Sequence, residues 1–177
     1  MRLNEKDYNR LREFMHAKYG INLANKQSLI EGRLSPVIAK KGYSSFTDYI
    51  DFALNDNSGK EVVTLISRLT TNFTYFMREQ QHYDLLRDRV LPECTQRIRD
   101  KDFRTWSAGC SSGEEAFTAA MVINEFFGNN KAGWDTTILA TDISDNVLSK
   151  GKKAIYPSEA LEKLPREWVG KYFDRVN

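Results

Sequence analysis

Cysteine is scarce in this 177-residue chain, and the two present, Cys94 and Cys110, are too few for a disulfide scaffold and lack metal-ligand spacing. No apolar run approaches the roughly 20 residues needed to span a bilayer, and the mean hydropathy is −0.56. The first ten residues carry five charges, which leaves no apolar core for a signal peptide. Internal repeats and low-complexity segments are missing as well. So is charge of one sign: residues 1–75 hold 11 Lys/Arg against 8 Asp/Glu, and residues 76–177 hold 15 against 16. A duplex-binding domain carries a much stronger basic bias on one face, so no specific nucleic-acid partner is expected. What remains, 41% hydrophobic and 28% charged residues, is globular composition and excludes a disordered chain or a fibre. The expectation is a soluble, reduced, cytoplasmic protein with no membrane insertion and no bound metal.

The front half reads as short amphipathic helices between stop signals. Asn4 is placed to cap a helix whose buried stripe is Tyr8, Leu11, Met15 and Tyr19, with Gly20 ending it. A second helix spans roughly 26–40 with Leu29, Ile30, Leu34 and Ile38 inward; Pro36 predicts a kink or a division into two pieces, and Gly42 closes it. Ser45 caps a third helix, with Asp48 three residues on and Phe46, Tyr49, Ile50 and Ala53 facing in. After the turn at 55–59, Val62, Val63, Ile66 and Leu69 mark a fourth. Four such stripes are buried only by packing together, which predicts a small helical bundle whose residues are core or solvated face.

Residues 70–78, TTNFTYFMR, break this pattern. The mix of hydroxyls, an amide, aromatic rings and a guanidinium suits either a turn into the next helix or the lip of a pocket. Tyr83, Leu86 and Val90 define that next helix, Pro92 is expected to close it, and 94–99 reads as another polar turn of helix. From Phe103 the character changes to a strand at 103–108, the loop Gly109-Cys-Ser-Ser-Gly113, and a helix from Glu114 to Phe127 with Phe117, Ala120, Met121 and Ile123/Asn124 marking its period. Gly128 ends it, a second strand covers 136–142, and Ser144 caps a helix holding Val147, Leu148 and Gly151. Strand, glycine loop, helix, strand is the start of a parallel α/β layer. The expected division is a helical domain at 1–75, connector helices at 76–99 and a partial α/β domain at 100–177.

The Gly109–Gly113 loop places free N–H groups and a helix N-terminus at the carboxyl edge of a sheet, where glycines let a ligand approach the backbone. It is neither G-x-G-x-x-G nor a P-loop, because Glu114 and Glu115 follow Gly113 where a P-loop has lysine. Two carboxylates in that first turn are ordinary helix-dipole chemistry, but they repel a phosphate. That disfavours nicotinamide dinucleotides and favours a nucleoside with a cationic tail. Asp142, at the end of the second strand, suits a bidentate hydrogen bond to both ribose hydroxyls or, more plainly, the start of a turn with Ser144 and Asp145. The 29 residues from Gly113 to Asp142 exceed the roughly 20 of the dinucleotide fingerprint. S-adenosylmethionine, with ribose, adenine, a sulfonium and an amino-acid tail but no phosphate, fits these charges.

Three segments, TTNFTYFMRE at 70–79, WSAGCSSGEE at 106–115 and ATDISDNVL at 140–148, resemble in order and spacing the chemotaxis receptor methyltransferases of the CheR family. The resemblance implies a helical bundle followed by the first part of a Rossmann-like methyltransferase sheet. It also implies transfer of a methyl group from S-adenosylmethionine to glutamates of chemotaxis receptor cytoplasmic domains, leaving S-adenosylhomocysteine. By resemblance Asn72, Thr74 and Arg78 line the cofactor cleft, Gly109 belongs to the cofactor loop and Asp142 holds the ribose. Arg78 lies near the methionine carboxylate or the incoming substrate and is the candidate catalytic orienter. Glu115 is chosen for the cofactor amino group with Glu114 as competitor, since spacing does not separate them.

In that family the segment after Ile155-Tyr156 continues through a small antiparallel subdomain and further strands, whereas this sequence stops at 172–177, YFDRVN. The resemblance therefore implies that roughly the last third is missing. Two consequences are expected. The chain is either the methyltransferase or a non-catalytic fragment that binds cofactor or partner. The open sheet edge, with Ile138 and Leu139 near it, is expected to drive self-association.

Overall fold

A computed structural model describes residues 1–176, the side chain of Asn130 excepted; Asn177, the last residue of the expected 100–177 domain, lies outside the described residues. The chain forms two compact units, Met1–Thr71 and the residues from 72 onward. The first is all helix. α1 (Glu5–Tyr19) starts where the Asn4 side chain accepts the Asp7 N–H at 2.8 Å, and it ends at Gly20, held at φ 67°. Only glycine adopts that left-handed cap without strain. α2 (Gln27–Lys40) runs unbroken through Pro36, so the two-piece alternative is set aside. α3 (Phe46–Leu54) begins at Ser45, whose hydroxyl accepts the Asp48 N–H at 3.1 Å. α4 (Lys60–Leu69) buries Leu65 beside Val62, Ile66 and Leu69, and it turns Val63 outward, one position away from the stripe expected. Leu11, Met15, Ile30, Leu34 and Tyr49 join Leu65 as fully buried residues of one core.

Asp7 shows how this unit is pinned. Its side chain is only 2% exposed, and it accepts from Asn4 at 2.7 Å and Arg10 at 3.0 Å as well as from the Thr47 hydroxyl. Burial pushes the carboxyl pKa up, but these three partners outweigh it and hold the value below the ordinary carboxylate range. The resulting stabilisation is complete above the unfolded value near 3.9 and is lost as pH falls through the lower folded value. Asp7→Asn is expected to cost about 1–3 kcal/mol at neutral pH. It should also flatten the pH dependence of denaturant midpoints below pH 5, and an unchanged acid limb would contradict this.

The second unit opens with a helical rod in three parts: α5 (Gln80–Leu85), a π-turn at Leu86–Val90 and α6 (Leu91–Arg97). Pro92 does not close this rod. It sits in the first turn of α6, directly after a widened turn in which the Leu91 N–H reaches back five residues to the Leu86 carbonyl. A π-turn is one of the few ways a helix passes a residue that its regular hydrogen-bond ladder cannot hold. Tyr83 and Leu91 lie on either side of the turn and are buried in the same cluster with Phe103, Val122 and Phe127.

The sheet is β1 (Thr105–Ala108) and β2 (Ile138–Thr141), parallel and in register from Thr105↔Ile138 to Ala108↔Thr141, with α7 (Glu114–Phe127) as the crossover. Both strands are shorter than the sequence suggests. Outside them, among the described residues, an isolated bridge pairs Asp102 with Asp135, and the Asp135 carboxylate turns the chain by accepting the Thr137 N–H at 3.0 Å. α7 buries Ala116, Thr118, Met121, Val122, Ile123 and Phe127, while Phe117 faces outward and Ala120 is exposed, so its inward face is rotated from the one expected. α8 (Asp145–Lys153) and α9 (Arg166–Tyr172) follow. One sheet face stays bare: Trp106 is 68% exposed and Leu139, its register partner, 60%, whereas Ile138 packs into the cluster.

Candidate functional site

The glycine loop is hooked to the end of β2. The N–H groups of Gly109 and Cys110 both donate to the Thr141 carbonyl at 2.8 Å, and the Gly113 N–H closes the turn on Cys110 at 2.9 Å. Gly113 sits at φ 99°, and a β-carbon there would lie 3.0 Å from both the Phe117 ring and the Tyr156 hydroxyl. Gly109 differs in having open space where its side chain would be, so a ligand can come against the backbone there. The Tyr156 hydroxyl donates to the Ser112 carbonyl at 2.6 Å and fixes the far side of the loop.

Asp142 joins two segments. Its Oδ2 accepts the Ser111 N–H at 2.8 Å and its Oδ1 the Ser144 N–H at 2.9 Å. The carboxylate is half-buried, and each oxygen keeps a second lone pair for an incoming hydroxyl. Ser144 precedes α8 but does not cap it with its side chain: the hydroxyl is buried without a hydrogen-bond partner, and Asp142 takes the backbone N–H instead. Ser111 also donates through Oγ to the Asn72 carbonyl at 3.0 Å.

The two loop acids have different environments. Glu114 is buried and its carboxylate is engaged by the Ser112 hydroxyl at 2.7 Å. Glu115 is exposed, and one of its oxygens accepts the Ser107 hydroxyl of β1 at 2.6 Å. Burial, and then the charge of Glu115, push the nearby Tyr83 phenol up to about 12, so it stays protonated. Burial, with Asp142 and the two glutamates adding to it, also raises the Cys110 thiol, which makes a thiolate nucleophile unfavourable here.

The 72–79 segment is anchored by Phe76, fully buried against Tyr156 and Phe173. The Met77 N–H donates to Thr118 Oγ1 of α7 at 3.3 Å. Arg78 is exposed and its guanidinium donates to the Phe73 carbonyl at 2.7 Å. Met77 and Glu79 on either side of it hold φ of 59° and 57°, conformations that non-glycine residues keep only where the surroundings impose them. Asn72, Gly109 and Asp142 are thus linked through Ser111 and Thr141, and Glu115 attaches at the base of the loop through Ser107. Among the described residues, the Arg78 guanidinium bonds within its own segment and not to the loop acids or Asp142; Thr74 is half-buried. Sequence reasoning missed Ser107, Ser111, Tyr156 and Phe76. Phe76, Ser107 and Ser111 lie inside the segments at 70–79 and 106–115 that the sequence singles out, and Tyr156 is an aromatic just after the α8 exit.

Two family models match the chain. Residues 72–177 match the CheR methyltransferase, SAM binding domain, and residues 6–70 match the CheR methyltransferase, all-alpha domain. A chemotaxis protein methyltransferase of Borreliella burgdorferi is 38% identical over 178 residues, covering 98% of this chain and 63% of that protein. The corresponding Escherichia coli protein is 31% identical, covering 98% and 58%. Chemotaxis protein methyltransferase 1 of Pseudomonas aeruginosa is 34% identical, covering 95% and 62%. The chain therefore spans about three fifths of the length of these relatives. With both family domains matched in sequence order, the chain belongs to the CheR methyltransferase family.

Proposed function

We propose that this chain binds S-adenosylmethionine and moves its methyl group onto glutamate carboxylates of chemotaxis receptors, a cytoplasmic step of chemotaxis signalling. The observation that carries this reading is Asp142, fixed by two backbone N–H groups at the mouth of an open glycine loop and retaining acceptor capacity on both oxygens. In this reading residues 1–75 are the helical domain, 76–99 the connector and 100–177 the cofactor-binding part. No helix among the described residues is long and apolar enough to cross a membrane.

The residues present suit this cofactor: a diol acceptor, an uncovered backbone at Gly109 and an exposed carboxylate, with two acids that repel phosphate. S-adenosylmethionine, when bound, supplies an activated methyl on a sulfonium. Asp142 accepts from the ribose hydroxyls, Glu115 receives the amino group, and Asn72 and Thr74 line the cleft. A substrate glutamate with a pKa near 4.3 is already ionised at neutral pH, so this chain needs no strong general base. Its task is alignment, and Arg78 orients the carboxylate through its planar fork.

Calorimetric titration with S-adenosylhomocysteine tests the cofactor reading. Micromolar binding is expected, and no heat would overturn it for this chain. Glu115→Gln retains an acceptor for Ser107 but loses the charge. It should weaken that binding by about tenfold or more, the equivalent of about 1.4 kcal/mol, with the melting temperature nearly unchanged. If Glu114→Gln gave the larger loss of affinity, the assignment of the two acids would reverse. The bare Trp106/Leu139 face supports self-association through the sheet, and a monodisperse monomer in light scattering at high concentration would count against that.

A further inference from the structure

We infer that Phe73, Tyr75 and Lys163 form the surface on which the substrate's glutamate-bearing helix docks, next to Arg78. The inference rests on the methyltransferase reading and adds to it where the protein substrate lies. Phe73 is 69% exposed, although it belongs to a segment whose neighbour Phe76 is fully buried. Its ring meets Tyr75 edge-on with centroids 5.6 Å apart, and the Lys163 ammonium lies 3.8 Å from the centre of the Tyr75 ring. An exposed ring, a half-buried ring and a cation are thereby presented together, with Lys163 itself still exposed.

The link to the chemistry is Arg78. Its guanidinium is bonded to the Phe73 carbonyl, so the exposed ring and the carboxylate orienter belong to one short loop. Among the described residues neither Arg78 nor Lys163 has a carboxylate within ion-pair distance. The exposed Phe73 ring, the half-buried Tyr75 ring and two cations without carboxylate partners fit an acidic, amphipathic helix: its apolar residues lie on Phe73 and the open part of Tyr75, one carboxylate meets Arg78 and a neighbouring one meets Lys163. A single-stranded nucleic acid offers similar chemistry, but residues 76–177 carry 16 acidic against 15 basic residues, which gives no basic track for a phosphate backbone. An acidic protein helix is the occupant this charge balance favours.

The test uses the full chain and a fluorescent helical peptide carrying the substrate glutamates of a chemotaxis receptor, with fluorescence anisotropy as the readout. Phe73→Ser and Lys163→Glu should each weaken peptide binding by about tenfold, in the range of an interface anchor. Both should leave S-adenosylhomocysteine affinity and melting temperature unchanged. Exchanging the peptide glutamates for glutamine should abolish the Lys163 dependence. Wild-type peptide affinity in Phe73→Ser, absence of peptide binding by the unaltered chain, or tighter binding of a single-stranded oligonucleotide would each overturn the inference. Loss of S-adenosylhomocysteine binding in the unaltered chain would instead strike the methyltransferase reading, so the two failures are distinguishable.

Discussion

Asp142→Ala is expected to lower S-adenosylhomocysteine affinity by at least about 100-fold, from the loss of two hydrogen bonds to a charged acceptor at about 1.5–3 kcal/mol each. The effect has two sources. The substitution removes the acceptor proposed for the ribose hydroxyls. It also leaves the N–H groups of Ser111 and Ser144 without the oxygens they now reach at 2.8 and 2.9 Å, at the places where the loop enters α7 and the chain enters α8. Asp142→Asn separates them only in part, because its NH2 must face one of those two N–H donors. Its affinity should fall between alanine and wild type. Calorimetry on the three proteins, with circular dichroism to confirm retained fold, is the measurement; wild-type affinity in Asp142→Ala would remove this residue from the site.

Phe76→Ala should be the most destabilising single change in the 72–79 segment, at about 3–5 kcal/mol. The ring is fully enclosed, edge-on to Tyr156 with centroids 4.9 Å apart and to Phe173 at 5.6 Å, in a cluster completed by Met121 and Leu164. The surrounding rings belong to separate elements and cannot all collapse into the void. For a chain of this size the loss corresponds to roughly 6–20 °C in melting temperature. Phe76→Leu keeps most of the volume and should cost less than about 1.5 kcal/mol. A loss under about 1 kcal/mol for alanine in denaturant titration would show that this anchor is dispensable. Because Tyr156 also holds the Ser112 carbonyl, the alanine variant should loosen the glycine loop too, seen as faster amide exchange at Ser111–Gly113.

What could be read from the sequence follows from how local each signal is. Asn4, Gly20 and Ser45 act within one helical turn of themselves, and their helices begin or end where those residues stand. The buried faces of α4 and α7 were harder. Adjacent apolar residues such as Val62-Val63 and Met121-Val122-Ile123 offer several stripes of similar quality, and contacts distant in sequence select among them. Pro92 was misleading because a proline stops a regular helix but not one with an extra residue in the turn before it. At the candidate site, residue types and order were visible, but the bonds among them were not. That Asp142 binds the Ser111 N–H depends on parallel pairing that brings together residues 31 positions apart, and that Ser111 reaches the Asn72 carbonyl depends on tertiary packing across 39 positions.

The π-turn between α5 and α6 makes the rod tolerant of length as well as of Pro92. Tyr83 and Leu91 are eight residues apart, which in a regular helix would place them roughly 80° apart around the axis. The wide turn absorbs one residue and lets both face one cluster. Deleting a residue within 86–90, with Pro92 replaced by alanine, would close the rod into regular helix. The two anchors would then be seven residues apart and offset by only about 20°. The rod is thus one place in the second unit where a gap in the sequence need not become a defect in the core, whereas a deletion inside α7 would rotate every buried residue beyond it by about 100°.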